Sequence, residues 1–497
     1  MSTIRRQSII SSGIVYFGFA LGGLNTLLFT KSFTPEEYGL TGIFMSLANI
    51  MFPLASLGMQ SFIYKFYPYY HDNLPPREND MMTWAFLTSF IGFLFVIGGG
   101  VMFKDFVVRK FGGNSPELVR YYYWIFPFGA GLTFYSLLEA FAWQLKKAVL
   151  TSFFKEVLFR IFTLVLILLS VAGVLKDFDT FIKIYACTYL ILALGLLIYL
   201  IMTRQLHLAF QSSRVSRKFF KKIIALSSFV WSGQVLFNIS TYFAQIVIAA
   251  VIGMRFVGIY TLALYVGSLL QAIQRSVVAA SIGPLSRAWK DKDYGRINRI
   301  YQRSSINQLI FSAGMFVLIW INFTDGVLTF HLKSDYLLAR PVFLYVGLMR
   351  IVDMGTGVNT QIIGTSVFWR FDFITGMVLL LFTLPANYIL AKDMGYVGPA
   401  VADLATFTLY NGIRCLFLYR KFGMQPFNEK SLYTLLLALA GYLVCHFLFD
   451  AYQGFLWLVV RSVVFIGIFG AGVLTLRLSD DILPVWQTIK KRLGLIR

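Results

Sequence analysis

VIGMRFVGIYTLALYVGSLL, residues 251–270, decides the fold because it repeats the plan of KSFTPEEYGLTGIFMSLANI at residues 31–50. Each stretch opens on a turn between apolar segments and reaches a glycine followed by an aliphatic residue, Gly39–Leu40 and Gly258–Ile259, before entering another apolar segment. Recurrence of one local plan at the start of two halves is the mark of an internal repeat. In the first copy Pro35 suits the first turn of a helix, and Glu36 and Glu37 complement its exposed backbone donors.

Outward from these segments, the 497-residue chain is 58% hydrophobic and 13% charged, with a mean hydropathy of +0.70. A soluble core cannot hide that much apolar surface, so the bilayer is part of the solvent. About fourteen stretches approach the ~20 residues needed to cross ~30 Å of hydrocarbon. They lie near 8–30, 40–63, 82–103, 119–141, 155–175, 180–203, 225–250, 256–282, 301–323, 337–362, 366–390, 396–419, 431–450 and 453–476. The expectation is an all-α polytopic membrane protein: a six-helix lobe over 1–203, an inner linker over 204–224, a second six-helix lobe over 225–419, a terminal helix pair over 431–476 and a basic tail over 477–497. With an even number of spans per half, the two lobes form a parallel repeat.

The net charge of +21 does not point to nucleic acid, because the basic residues fall mainly in alternate loops. One set holds Arg204, Arg214, Arg217, Lys218, Lys221 and Lys222; another holds Arg287, Lys290, Lys292, Arg296, Arg299 and Arg303; Arg420, Lys421, Lys490, Lys491 and Arg492 follow on the same side. The positive-inside rule then places both termini in the cytoplasm, with Arg5 and Arg6 inside and the first span retained rather than cleaved. Cys187, Cys415 and Cys445, like the four histidines, are scattered without metal-ligand spacing, so neither a metal centre nor a cofactor is expected.

Polar groups inside the spans carry the functional signal. Gln234, Asn238, Thr241 and Gln245 recur at steps of four, three and four and share one helical face, which lines a water-filled path or glues helices together. Gln271, Gln274 and Arg275 cluster in the next span. Arg350 and Asp353 stand three residues apart in the middle of the tenth, followed by Asn359 and Gln361, and Asn411 and Arg414 repeat that spacing in the twelfth. A mid-membrane arginine costs ~2.5–3.5 kcal/mol on insertion scales, so these residues face protein or a cavity. Asp353 is read as a coupling group or a neutralising pair for Arg350, and Arg461, in the terminal pair, as lining a lateral groove or stabilising packing. Arg160 is explained by topology, and Glu139 is the other deeply placed acid. The positive balance suits an anionic cargo, since arginine holds phosphate through directional bonds. The aromatic runs at 64–70 and 121–124 read as interfacial anchors, and Ile482, Leu483, Val485, Trp486 and Ile489 as an amphipathic segment on the inner face. Pro53, Pro127, Pro284 and Pro385 supply sites for kinks, and Gly13, Gly18, Gly22 and Gly23 sites for close packing in the first span.

FTPEEYGLTGIF at 33–44 and VGIYTLALYV at 257–266, in this order within the span framework, resemble the bacterial polysaccharide-export flippases called Wzx, of the superfamily that includes MATE exporters and MurJ. The resemblance implies alternating access between two lobes. It also implies transfer of an undecaprenyl-pyrophosphate-linked oligosaccharide from the inner to the outer leaflet of the bacterial cytoplasmic membrane, as in lipopolysaccharide or O-antigen assembly. It suits Arg275, Arg350 and Arg414 as head-group contacts and a functional monomer working among membrane lipids and polysaccharide-assembly proteins. The family's acidic–basic pair in the seventh span falls on Ala244 and Gln245, so proton or sodium coupling does not transfer residue for residue. A MATE-like exporter of drugs or metabolites, a membrane oligosaccharide polymerase or ligase, and a membrane scaffold are the competing expectations; the enzyme is disfavoured by short outer loops and the lack of a catalytic constellation.

Overall fold

The computed structural model describes residues 3–481, with side chains from residue 13 onward except Trp369. The amphipathic segment beginning at 482 and the side chains of Arg5 and Arg6 lie outside the described residues. Among the described residues all regular structure is helical. Ten helical segments are long and apolar enough to cross a membrane, or up to 11 when the bent pair Met254–Leu269 and Gln274–Lys290 counts as one. Large apolar side chains remain turned outward along these helices, among them Phe95 at 76%, Leu381 at 70% and Phe447 at 81% exposure. In water such a surface would be an aggregation site, whereas facing acyl chains it carries no penalty. The chain is an all-α multi-pass membrane protein.

The difference from about fourteen expected stretches has a physical origin. The segment Arg370–Phe422 counts as one in that tally but contains two helices that meet at Gly395, where φ is 64°. The stretch expected over 155–175 is divided between the π-helical turn Phe153–Leu158 and the 13-residue helix Phe159–Val171. That over 337–362 is divided into Ala339–Gly355 and Asn359–Thr365. Gly357 sits in this break with φ 62°, and a Cβ there would press on Ser304 and Ser305. Pro53, Pro284 and Pro385, by contrast, lie within helices that continue through them.

The chain divides into two compact units, Met1–Thr261 and Leu262–Arg497. In the first, Thr34 caps the Pro35–Ser56 helix: its hydroxyl accepts from the Glu37 amide at 3.2 Å, and the Glu37 carboxylate accepts from the Thr34 amide at 2.8 Å. This reciprocal cap satisfies two orphan donors and fixes where the first copy of the repeated plan turns into helix. The two copies then pack on each other through their glycines. A Cβ on Gly39 would meet the Met254 carbonyl at 2.6 Å and the Gly258 amide at 2.9 Å, and one on Gly258 would collide with the Pro35 carbonyl. Only glycine permits this approach of two backbones. The helix Arg214–Val251 begins inside the stretch read as a linker, capped by Ser213, whose hydroxyl accepts from the Ser216 amide.

In the second unit the terminal pair, Glu429–Phe449 and Phe455–Thr475, is pinned to the helix Tyr294–Thr329. Arg461 pairs with Asp325, which also accepts from the Gly454 amide at 3.1 Å, and the Asn322 amide donates to Ser462 at 2.9 Å.

Candidate functional site

The second unit holds a hydrogen-bond chain that runs through two broken helices. It starts at the 51° bend between Met254–Leu269 and Gln274–Lys290. There the side-chain amide of Gln271 donates to the Gln274 carbonyl oxygen at 2.9 Å, and the amides of Gln271 and Gln274 both donate to Asp353 Oδ2, at 3.4 and 3.0 Å. Asp353 sits two residues before the end of the Ala339–Gly355 helix and accepts a third amide at Oδ1, from Asn411 at 3.4 Å. A carboxylate solvated by three side-chain amides is stabilised without water, and the amides are held in turn.

Asn411 is the junction. Its carbonyl oxygen accepts from the Thr356 hydroxyl at 3.1 Å and the Asn359 amide at 2.9 Å, both of them flanking the break at 356–358. The Asn359 oxygen accepts from the Thr360 hydroxyl at 3.1 Å, and Thr360 accepts from Arg414. Arg414 is 1% exposed and lies with its guanidinium 3.9 Å from the Tyr410 ring centroid. It donates to Thr375 at 3.2 Å and forms an ion pair with Asp372, whose side chain is 40% exposed. Broken helices inside a membrane are tolerated where polar groups take up the freed backbone, and such places are recurrent sites for ions and polar substrates.

Of the residues expected to form the site, Gln271, Gln274, Asp353, Asn359 and Arg414 therefore belong to one connected set. Arg350 lies half-buried on the helix that carries Asp353, Arg275 is exposed one residue after Gln274, and Gln361 is half-buried in the Asn359–Thr365 helix. Gln234, Asn238, Thr241 and Gln245 lie in the first unit, where they do not form one network. Asn238 and Thr241 donate back to carbonyls of their own helix, and the buried Gln245 joins Ser46 to Thr261, with its amide 2.9 Å from the Thr261 hydroxyl. The charges of the first unit form local pairs: Glu139 with Lys155 at 3.2 Å, and Glu156 with Arg160 at 3.0 Å. Arg461 is 8% exposed and engaged by Asp325 and by the carbonyls of Ile321 and Tyr452. Thr356, Thr360, Asp372 and Thr375 escape a sequence reading. Hydroxyls are common in membrane helices, and Asp372 follows the apparent start of a span; only its exposed neighbour Arg370 and the spacing of Asn411 and Arg414 hint at a polar seam.

No family model and no curated protein matches the chain. Among solved structures, a lipid II flippase MurJ in its inward closed conformation has the same fold, with a TM-score of 0.72 and 15% identity, across 94% of this chain and 99% of that one. An inward-facing multidrug resistance MATE family transporter of the MOP superfamily follows at 0.65 and 14%, across 82% and 94%. A Vibrio cholerae MATE transporter matches at 0.53 and 12%, across 84% and 97%. The fold is therefore MurJ- and MATE-like.

Proposed function

We propose that the protein moves an undecaprenyl-pyrophosphate-linked oligosaccharide from the inner to the outer leaflet of a bacterial cytoplasmic membrane by alternating access. The observation that carries this reading is the amide-and-arginine chain from Gln271 to Asp372, threaded through two helix breaks in a fold shared along nearly its whole length with a lipid II flippase. Arg350 and Arg275 are the head-group contacts in this scheme, while Arg414, already held by Asp372, Thr360 and Thr375, stiffens the wall behind them. Gln361, half-buried on the helix that Asn359 opens, meets the less specific demands of sugar hydroxyls. Asp353 is the coupling group, because a change in its charge alters three amide contacts at once. The carrier tail stays in lipid while the two lobes alternate between inward-open and outward-open states, and both termini stay cytoplasmic. Outward movement of each negative charge gains ~2.3 kcal/mol per 100 mV in an interior-negative cell.

Proteoliposomes containing a fluorescent lipid-linked oligosaccharide test this directly. Leaflet exchange by the wild-type protein that falls in Arg350→Gln and Arg275→Gln, with folding unchanged, is the expected result. Transport of soluble compounds without lipid exchange would select the MATE-like exporter instead, a reading favoured by the match to a multidrug transporter. An imposed voltage, proton gradient or sodium gradient then identifies the driving force.

A further inference from the structure

A cavity of about 310 Å³ lies wholly within the first unit. Four separate parts of the chain meet there: the Met59–Asn73 helix, the start of Met81–Met102, the end of Ile125–Gln144 and the residues that follow Thr188–Met202. All four are ends that the charge pattern assigns to the cytoplasmic side.

Its lining combines three basic side chains, His71, Arg204 and His207, with an apolar floor that includes Met82 and Phe141, and no carboxylate is among the described residues that line it. Basic residues at a membrane boundary ordinarily serve orientation alone and spread into solvent. Here the exposed His71 and Arg204 and the half-buried His207 border one concavity. Arg204 adopts φ 53° at the point where the chain turns out of its helix. Its guanidinium and the His207 imidazole make no hydrogen bond or ion pair among the described residues, so their donors are uncommitted. The His71 ring is held by stacking on Tyr67, with centroids 5.4 Å apart. Burial, with Asp72 adding to it, pushes the Tyr67 phenol above its ordinary range, so it remains a neutral donor. Gln205, in the same wall, has a side-chain oxygen buried without a hydrogen-bond partner. As an acceptor it is satisfied by a ligand hydroxyl, such as that of a protonated phosphate or a lipid glycerol.

Uncommitted guanidinium and imidazole donors around a pocket free of acids recognise an oxyanion with several acceptor oxygens. We propose that this cavity is a binding site for a phosphate-type oxyanion, held by Arg204, His71 and His207. The proposal stands on the first unit alone and does not depend on the transport reading. Two sources share this chemistry, a free phosphate and the head group of an anionic lipid whose first methylenes rest on the apolar floor.

The test is calorimetric titration of the purified full chain with inorganic pyrophosphate, alongside native mass spectrometry of the same protein from nanodiscs containing phosphatidylglycerol. Saturable binding in either arm, weakened at least tenfold in Arg204→Gln and in the double variant His71→Ala/His207→Ala, is expected. Arg287→Gln, in the other unit, should bind as the wild type does. Pyrophosphate binding in detergent assigns a free anion, whereas retention of phosphatidylglycerol alone assigns a lipid head group. Absence of binding in both arms, or equal affinity in the folded Arg204→Gln and double-histidine proteins, overturns the proposal.

Discussion

Arg414 and Arg461 lie in the same unit, are 1% and 8% exposed, and each meets a carboxylate, yet they are built into the protein differently. Arg461 is closed off: its Asp325 partner is itself buried, and its guanidinium also donates to the backbone carbonyls of Ile321, Tyr452 and Trp457. Arg414 is open at both ends. Its partner Asp372 is 40% exposed, and Thr360 carries the connection onward to Asn359, Asn411 and Asp353. A buried charge fixed by backbone is a rivet, whereas one fixed by side chains that are themselves shared can rearrange. Position in a span does not distinguish them; the partners do.

The largest effect should come from Asp325→Ala, which leaves the Arg461 charge buried without its carboxylate. A loss of about 3–5 kcal/mol is expected, read as a fall in thermal stability in detergent, with release of the terminal pair. The comparison is sharpened by removing each pair whole. Asp325→Leu with Arg461→Met should return stability to near the wild-type value and preserve lipid exchange, because an apolar pair of similar volume replaces a costly ion pair. Asp372→Leu with Arg414→Met should fold and yet lose most exchange. Identical behaviour of the two double variants would erase the distinction between rivet and relay. Asn411→Ala cuts the chain at its junction; about 1–3 kcal/mol of stability should be lost, with a fall in exchange larger than that of the neighbouring Thr375→Val. At the small end stands a third pair, the exposed Arg303 and the half-buried Asp481. The Arg303 guanidinium holds the Asp481 carboxyl below its ordinary range. Its contribution, at most about 1 kcal/mol, is complete above the ordinary carboxylate pKa and is lost as pH falls through the depressed value, so Asp481→Asn should change thermal stability little at neutral pH and nothing at strongly acid pH.

Much of the site was legible in spacing. Asn411 and Arg414 are three apart on one helix, the separation that puts two residues on one face, and Gln271 and Gln274, also three apart, meet across the break at 270–273. The breaks were not. Proline is the usual sign of interruption, but the helices around Pro53, Pro284 and Pro385 continue, while those near 270–273 and 356–358 stop, and at the second break the Ser305 hydroxyl donates to the Gly355 carbonyl. Within the periodic stripe from Gln234 to Gln245, Asn238 and Thr241 bond within their own helix, while Gln245 joins other segments.

Composition and hydropathy alone determined that this chain lives in a bilayer as helices, because backbone polar groups in lipid must be satisfied within each segment. The glycines of the repeated plan were visible in the sequence only as part of the repeat. That Gly39 and Gly258 approach each other, that Asp353 is solvated by amides, and that one buried arginine is a rivet while another joins a relay were decided only by tertiary structure. A hydrogen bond between residues such as Asp353 and Asn411, 58 positions apart, depends on which helix faces pack, and local sequence does not contain that choice.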